Sequence, residues 1–394
     1  MKKNLIVYTS NIGKGGMEKM SVEFLKSLDV KKYNILFLIR ENKGDENIYE
    51  SEIPQGIKVK YLTDFTLGKK IKECREKKKN LIYKLKYSFL MNKRNKIALE
   101  NIKKELEFAD VIIDYSSGFL RFANKLDLQG KNLIGWSHVG TGELKSKNDK
   151  KELRRIEGLK KYSYNVVIND LMEKNYPITY PFLKGKIYKL YNFLDYSVIK
   201  KQSNQENELT KDEKELINKD YILTLGSLVD RKKVDFLIRS YSEAKKNGLK
   251  EKFYILGEGK EKEKLLKLIK SLNLVNDVKI LDFKKNPYIW LKHSKLYILG
   301  SISEGLPTVL IEAMYFNKVI VATKAPGVTD ILLGGRTGIL IENRDEESFG
   351  KAMVEGLKEE VQKKYQEEMK KRVEEFSLEK GKERIDKFLE GVFE

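Results

Sequence analysis

Cysteine occurs once in this chain, at Cys74, and histidine only at His138 and His293. A single cysteine excludes an intramolecular disulfide and a thiolate metal centre, and two histidines exclude a histidine-rich one. Long apolar runs are missing too, and none approaches the roughly 20 residues that cross a bilayer. Met1-Lys2-Lys3 ahead of Leu5-Ile6-Val7-Tyr8 begins like a secretory leader, but the apolar run is short and Thr9-Ser10-Asn11 breaks it. Acidic residues are outnumbered, 58 Asp and Glu against 78 Lys and Arg, for a net charge of +20. Such an excess fits nucleic acid, an anionic membrane surface, phosphate-bearing substrates, or the habit of a lysine-rich proteome. No helix-turn-helix, zinc-finger or RNP motif accompanies it, and the basic residues are spread along the whole chain, which leaves the nucleic-acid reading without a motif. The expectation is a cytoplasmic protein that touches the inner face of the membrane.

Short β-branched and aromatic runs alternate with amphipathic stretches from end to end. They include Leu5–Tyr8, Ile35–Ile39, Val111–Ile113, Leu133–Trp136, Val166–Ile168, Ile222–Leu225, Phe253–Leu256, Val278–Leu281, Leu296–Leu299 and Val319–Val321. Runs of this kind are buried parallel strands, and the helical stretches between them make βαβ units. There are too many strands for one open sheet. The polar stretch Lys201–Asn207 has no apolar periodicity, and a strand-loop-helix pattern restarts at Tyr221. This predicts an α/β protein of two Rossmann-like, doubly wound domains, residues 1–200 and 201–377, facing across a cleft. Ligands in such sheets sit at the carboxyl ends of the strands. A final helical pattern, 378–394, is expected to cross back to the first domain. Residues 68–107 are rich in lysine, and Leu81, Ile82, Leu85, Phe89 and Leu90 fall at helical spacing among Lys77, Lys78, Lys79, Lys84, Lys86, Lys93 and Arg94. Two readings stand: an amphipathic helix packed on the sheet, or an interfacial helix that meets anionic lipid.

Four loops carry candidate chemistry. Ser303-Glu304-Gly305-Leu306-Pro307-Thr308 leads into an apolar helix that holds Glu312. Pro307 suits a helix start, and the backbone N–H groups of Gly305 and Leu306, with the helix dipole, make an anion site. Thr308 and Glu312 are four residues apart and share a face. A carboxylate repels a phosphate, so Glu304 and Glu312 are suited to hydroxyls on either side of one. A solvent-facing Glu312 on a capped helix is the alternative that spacing leaves open. Gly226-Ser227-Leu228-Val229-Asp230-Arg231-Lys232-Lys233 follows a strand and offers cations to a diphosphate; a solvated basic turn is its alternative. Gly13-Lys14-Gly15-Gly16 follows the first strand and lets backbone approach a ligand, although it lacks the third glycine of a dinucleotide fingerprint. His138 ends a strand in Ser137-His138-Val139-Gly140-Thr141-Gly142, placed for a cleft or for structure, whereas His293 reads as a surface helix residue.

Together these stretches resemble the retaining glycosyltransferases of the GT-B fold, family 4, the glycosyl transferases group 1. The most specific element is Glu304 and Glu312 within EGLPTVLIEAM. The resemblance implies that Glu304 meets the donor sugar and Glu312 the nucleotide ribose. It further implies that Gly305, Leu306, Pro307 and Thr308 line the donor, that Gly15 and Gly16 lie on its phosphate side, and that His138 stands near the reacting sugar. Phe253–Gly259, Ala325–Asp330 and Tyr191–Asp195 match further family turns, the last with Phe193 in place of proline. At the basic loop Lys232 keeps the family's lysine. Ser227 stands where arginine is usual and Lys233 replaces a glycine, so Arg231 becomes the candidate substitute. No Asp-x-Asp motif occurs, so metal is not expected, nor any cofactor beyond a nucleotide-diphospho-sugar, UDP favoured over GDP. The implied activity is hexosyl or N-acetylhexosaminyl transfer to a glycan or polyprenyl-diphosphate-linked acceptor in capsule or lipopolysaccharide assembly. A catalytically degenerate partner subunit and a UDP-sugar epimerase are the alternatives.

Overall fold

The computed structural model describes residues 2–77, 80–138 and 156–394. Lys78, Lys79 and the Val139–Gly142 part of the histidine loop lie outside the described residues. The chain divides into an N-terminal unit, Met1–Ile168 with Met172–Leu190 and Lys382–Glu394, and a C-terminal unit, Asn169–Leu171 with Tyr191–Gly381. The second unit thus takes up the chain at Tyr191 and not at 201. The stretch read as a junction, Lys201–Asn207, begins inside the helix Tyr196–Ser203, whose Asp195 cap accepts the Ser197 and Val198 N–H groups. A capped helix of mostly polar residues shows little apolar periodicity, so its sequence resembles a linker.

The N-terminal unit is built on strands β1 (Lys3–Thr9), β2 (Tyr33–Ile39), β3 (Lys58–Tyr61), β4 (Val111–Asp114), β5 (Asn132–Ser137), β6 (Tyr164–Val167) and β7 (Ile187–Lys189). They lie in the order β3-β2-β1-β4-β5-β6-β7, and every neighbouring pair is parallel. The C-terminal unit carries β8 (Tyr221–Leu225), β9 (Lys252–Leu256), β10 (Val278–Leu281), β11 (Leu296–Leu299), β12 (Ile320–Thr323) and β13 (Ile339–Ile341). Their order is β10-β9-β8-β11-β12-β13, again parallel throughout. Central strands such as Leu5–Tyr8 and Leu296–Leu299 are buried along their length, as expected where helices cover both faces. In each unit the strand order reverses once, between β1 and β4 and between β8 and β11.

The edge strands β3, β7 and β13 have no buried residue. An edge strand covered on one side alone needs no continuous apolar run, and Lys58-Val59-Lys60-Tyr61 accordingly does not read as a strand from its residues.

In the last helix, Leu378–Phe393, the residues from Lys382 on belong to the N-terminal unit. There Phe393 stacks on Tyr33 with ring centroids 5.9 Å apart, Phe388 packs on Tyr188 at 4.9 Å, and Lys32 pairs with Asp386 at 3.3 Å.

The lysine-rich region forms the helices Phe65–Glu76 and Leu81–Leu106. Leu90 joins Leu67, Ile71 and Cys74 in a small buried cluster. Leu81, Ile82, Leu85 and Phe89 point the other way, each more than 60% exposed. The reading that packs this apolar stripe on the sheet is therefore corrected for these four residues: the contacts with the preceding helix use Tyr83, Tyr87, Leu90 and Met91 instead. Among the described residues no helix is long and apolar enough to cross a membrane.

Candidate active site

Strand β11 pairs with β8 only at Leu296/Ile222 and Tyr297/Leu223, so their carboxyl ends diverge. The loops that follow, Gly226–Lys233 and Gly300–Pro307, meet at this reversal of strand order, where α/β sheets bind ligands. A small depression there is lined by Thr224, Gly226, Ser227, Leu228 and Lys232. Ser227 is exposed at its mouth.

The first loop turns through a short 3-10 helix, Asp230–Lys232, which carries both Arg231 and Lys232 toward the second loop. The Arg231 carbonyl accepts the Ile302 N–H at 2.9 Å, and the Arg231 guanidinium donates to the Ser303 carbonyl. Glu304 is the focus. Its Oε1 lies 2.6 Å from Lys232 Nζ and its Oε2 3.0 Å from Arg231 Nη1. Burial pushes this carboxyl up, but the Lys232 ammonium, its hydrogen bond and Arg231 outweigh it and hold Glu304 below the usual carboxylate range. Arg231 thus acts on the glutamate beside Lys232, and not from the position where the family's arginine is expected.

The helix after this loop is Thr308–Tyr315, with Pro307 as the residue just before it. The Pro307 carbonyl takes the first helical bond, from Leu310 N at 2.9 Å, and a missing N–H at this point costs nothing. Val309 through Met314 are all buried, Glu312 among them at 3% exposure. The solvent-facing alternative for Glu312 is thereby removed. Its Oε1 is 3.5 Å from the Tyr288 hydroxyl. A carboxylate kept this dry needs hydrogen-bond partners.

Two glycines set the approach of the surrounding loops. A side-chain carbon at Gly257, after β9, would strike the Gly226 carbonyl, and one at Gly327 would strike the Gly305 carbonyl. The Gly327 N–H bonds the Glu304 carbonyl at 3.3 Å. The Phe253–Gly259 and Ala325–Asp330 turns therefore brace the two loops from behind.

The remaining expected residues lie in the N-terminal unit. Gly15 precedes the helix Gly16–Ser27, and a side chain at Gly15 would collide with the Glu18 carboxylate. Asn11 shapes the loop: its Oδ1 accepts the Gly13 N–H at 3.1 Å and Lys43 Nζ at 2.9 Å. His138 follows β5, with Nε2 2.6 Å from the Tyr115 carbonyl and its ring 4.7 Å from the Tyr115 ring. A carbonyl only accepts, so Nε2 carries the proton. Burial pushes the imidazole down to about 4, against the Tyr115 hydrogen bond, so His138 is neutral at pH 7. His293 ends the helix Tyr288–His293 and pairs with Glu206 at 2.9 Å.

Residues 205–376 match the family described as glycosyl transferases group 1. The chain carries a group 1 glycosyl transferase domain. It is 26% identical to the N-acetylgalactosamine-N,N'-diacetylbacillosaminyl-diphospho-undecaprenol 4-alpha-N-acetylgalactosaminyltransferase of Campylobacter jejuni, over 90% of this chain and 89% of that one. An uncharacterised glycosyltransferase of Methanocaldococcus jannaschii is 36% identical over 129 residues, about a third of either chain (32% of each). Among solved structures, HepE of Anabaena in complex with UDP and glucose superposes with a TM-score of 0.76 at 15% identity, covering 99% of this chain and all of that one. The fold is GT-B.

Within the group 1 domain, Ser227, Arg231, Lys232, Glu304, Gly305, Leu306, Pro307, Thr308 and Glu312 all fall on the loops after β8 and β11 or the helix that follows. Two residues there escaped the sequence reading. Tyr288 reaches Glu312 from another helix, and Arg344 donates to the Ser301 carbonyl at 3.1 Å. Both come from segments that show only ordinary helix or turn character, and tertiary packing alone reveals them.

Proposed function

We propose that this protein is a retaining, metal-independent glycosyltransferase that moves a hexosyl or N-acetylhexosaminyl group from a UDP-sugar to a polyprenyl-diphosphate-linked glycan. The observation that carries the reading is Glu304, buried between Lys232 and Arg231 at the head of the helix that holds Glu312. Donor diphosphate binds against Lys232 and the N–H groups after Glu304. Glu312 accepts from the ribose hydroxyls, and Glu304 exchanges part of its ion pairing for the hydroxyls of the donor sugar. The C1–O bond to the β-phosphate breaks and its electron pair stays on the phosphate oxygen, beside Lys232. The acceptor oxygen bonds C1 from the same face and passes its proton to that leaving phosphate. His138, neutral and tied to Tyr115, orients a sugar hydroxyl and does not act as a general acid.

UDP as the donor base is supported by the ligands of HepE, and a lipid-diphosphate acceptor by the activity named for the Campylobacter relative. The exposed stripe Leu81, Ile82, Leu85 and Phe89, with Lys77, Lys84 and Lys86 near it, fits an anionic inner leaflet, where such acceptors reside. The role follows as bacterial surface polysaccharide assembly, of the capsule or lipopolysaccharide kind, by a peripheral cytoplasmic enzyme.

The test is calorimetric titration with UDP, GDP, ADP and CMP in EDTA, followed by transfer from UDP-sugars to a polyprenyl-diphosphate-linked acceptor. Selective UDP binding and an anomerically retained product are expected. Failure to bind any diphosphate nucleotide sinks the proposal.

A further inference from the structure

Three guanidinium groups gather in the N-terminal unit where its strand order reverses. Arg40 follows β2, Arg94 comes from the helix Leu81–Leu106, and Arg121 lies in the short helix Leu120–Ala123 after β4. One carboxylate sits among them. Glu41 Oε1 is 3.2 Å from Arg40 Nη2 and also accepts from Arg94 Nη1. Arg121 Nε is occupied by the Gly118 carbonyl at 3.1 Å.

Asp114, at the end of β4, does not balance the excess. Its oxygens already accept the Gly118 N–H at 3.0 Å, the Phe119 N–H at 2.9 Å and the Tyr162 hydroxyl at 2.8 Å. Arg40 and Arg94 are 8% and 5% exposed. Arg40 Nε and Nη1, Arg94 Nε and the Tyr8 hydroxyl are buried and have no hydrogen-bond partner among the described residues. Unpaired buried donors of charged groups are costly, and the cost is relieved by an acceptor of opposite charge. Ser10 and Ser116, whose hydroxyls are 3.1 Å apart, stand at the ends of β1 and β4 beside them.

We propose that Arg40, Arg94 and Arg121, with the Tyr8 hydroxyl, form a phosphoryl-binding site at the carboxyl ends of β1, β2 and β4. Guanidinium forks match phosphate oxygens and stay charged when buried. Resting on the transferase reading, the phosphoryl group belongs to the acceptor. Arg94 lies on the same helix as the exposed stripe, about 7.5 Å along the axis beyond Phe89 at 1.5 Å per residue. A diphosphate at the membrane surface would thus be near Arg94 when Leu85 and Phe89 touch lipid.

The experiment titrates the full chain, with UDP saturating, using inorganic diphosphate and farnesyl diphosphate as probes. Wild type is compared with Arg40→Gln and with Arg121→Gln, the latter at an exposed position that tolerates change. Both probes should bind, and both substitutions should weaken them at least tenfold while UDP affinity is unchanged. Tighter binding of farnesyl diphosphate assigns the lipid form, and equal binding assigns phosphate alone; either supports the site. No binding of either probe, or equal affinity in all three proteins, overturns it. UDP titration of the same samples judges the transferase reading separately, because Arg40 and Arg121 lie outside the group 1 domain.

Discussion

Lys232 Nζ and Arg231 Nη1 grip opposite oxygens of Glu304, at 2.6 and 3.0 Å. The two cations are not equivalent. The Lys232 side chain is 16% exposed and that of Arg231 50%, so water screens the second pair far more. A hydrogen bond to a charged group contributes about 1.5–3 kcal/mol. Lys232→Ala should therefore weaken UDP binding about tenfold to a hundredfold by that figure. Arg231→Ala should cost several times less. Calorimetry decides, and an unchanged UDP affinity in Lys232→Ala would remove Lys232 from the donor site.

Lys233 has φ 47° and ψ 46°, a left-handed conformation that costs a side-chain-bearing residue about 1–2 kcal/mol. Its Nζ recovers part of this by pairing with Asp230 at 2.7 Å. The family's glycine at this position thereby finds its reason. Lys233→Gly should raise the melting temperature of the C-terminal unit by about 2 °C without altering UDP affinity. A lower melting temperature would show that the Asp230 pair outweighs the backbone strain.

His138 makes stability pH-dependent with a defined sign. Its folded pKa of about 4 lies below the ordinary 6.5, so the unfolded chain takes the proton first as pH falls. The contribution of neutral His138 is fully present above about pH 6.5 and is lost progressively toward pH 4. Asp114 runs the other way: burial raises it to about 6, against its hydrogen bonds, so its contribution is present below the ordinary 3.8 and is lost as pH rises toward 6. Denaturant melts of wild type and His138→Gln between pH 4 and 8 isolate the first effect. The stability difference between them should shrink below pH 6.5; a constant difference would contradict the buried neutral imidazole.

Leu85 and Phe89 are exposed at 64% and 67%, so charging them should leave the fold intact. Leu85→Glu together with Phe89→Glu is expected to abolish co-sedimentation with vesicles containing anionic lipid. Melting temperature and UDP affinity should not move. Equal sedimentation of variant and wild type would mean that another surface, or none, meets the membrane.

Much of this was legible in the residues. The buried parallel strands announce themselves as apolar runs because both faces are covered, and the βα loops of the C-terminal unit announce chemistry because carboxylates, glycines and cations concentrate there. The edge strands were not legible: Lys58–Tyr61 needs no apolar alternation where one side is open. The extent of Glu312's burial was hidden too, since helical spacing gives a face without saying what covers it.

Local sequence by itself determined the strands, the position of Glu304 ahead of its helix, and the lysine beside the first loop. These depend on neighbours within a few residues, through backbone sterics, helix period and strand burial. The tertiary structure alone decided that Arg231 joins Lys232 on Glu304, that Tyr288 meets Glu312, and that Arg40 and Arg94 share Glu41. Lys232 and Glu304 are 72 residues apart, Tyr288 and Glu312 24, and Arg94 and Glu41 53. Distances of that size along the chain are closed only by strand order and helix packing, which bring side chains together irrespective of the residues between them.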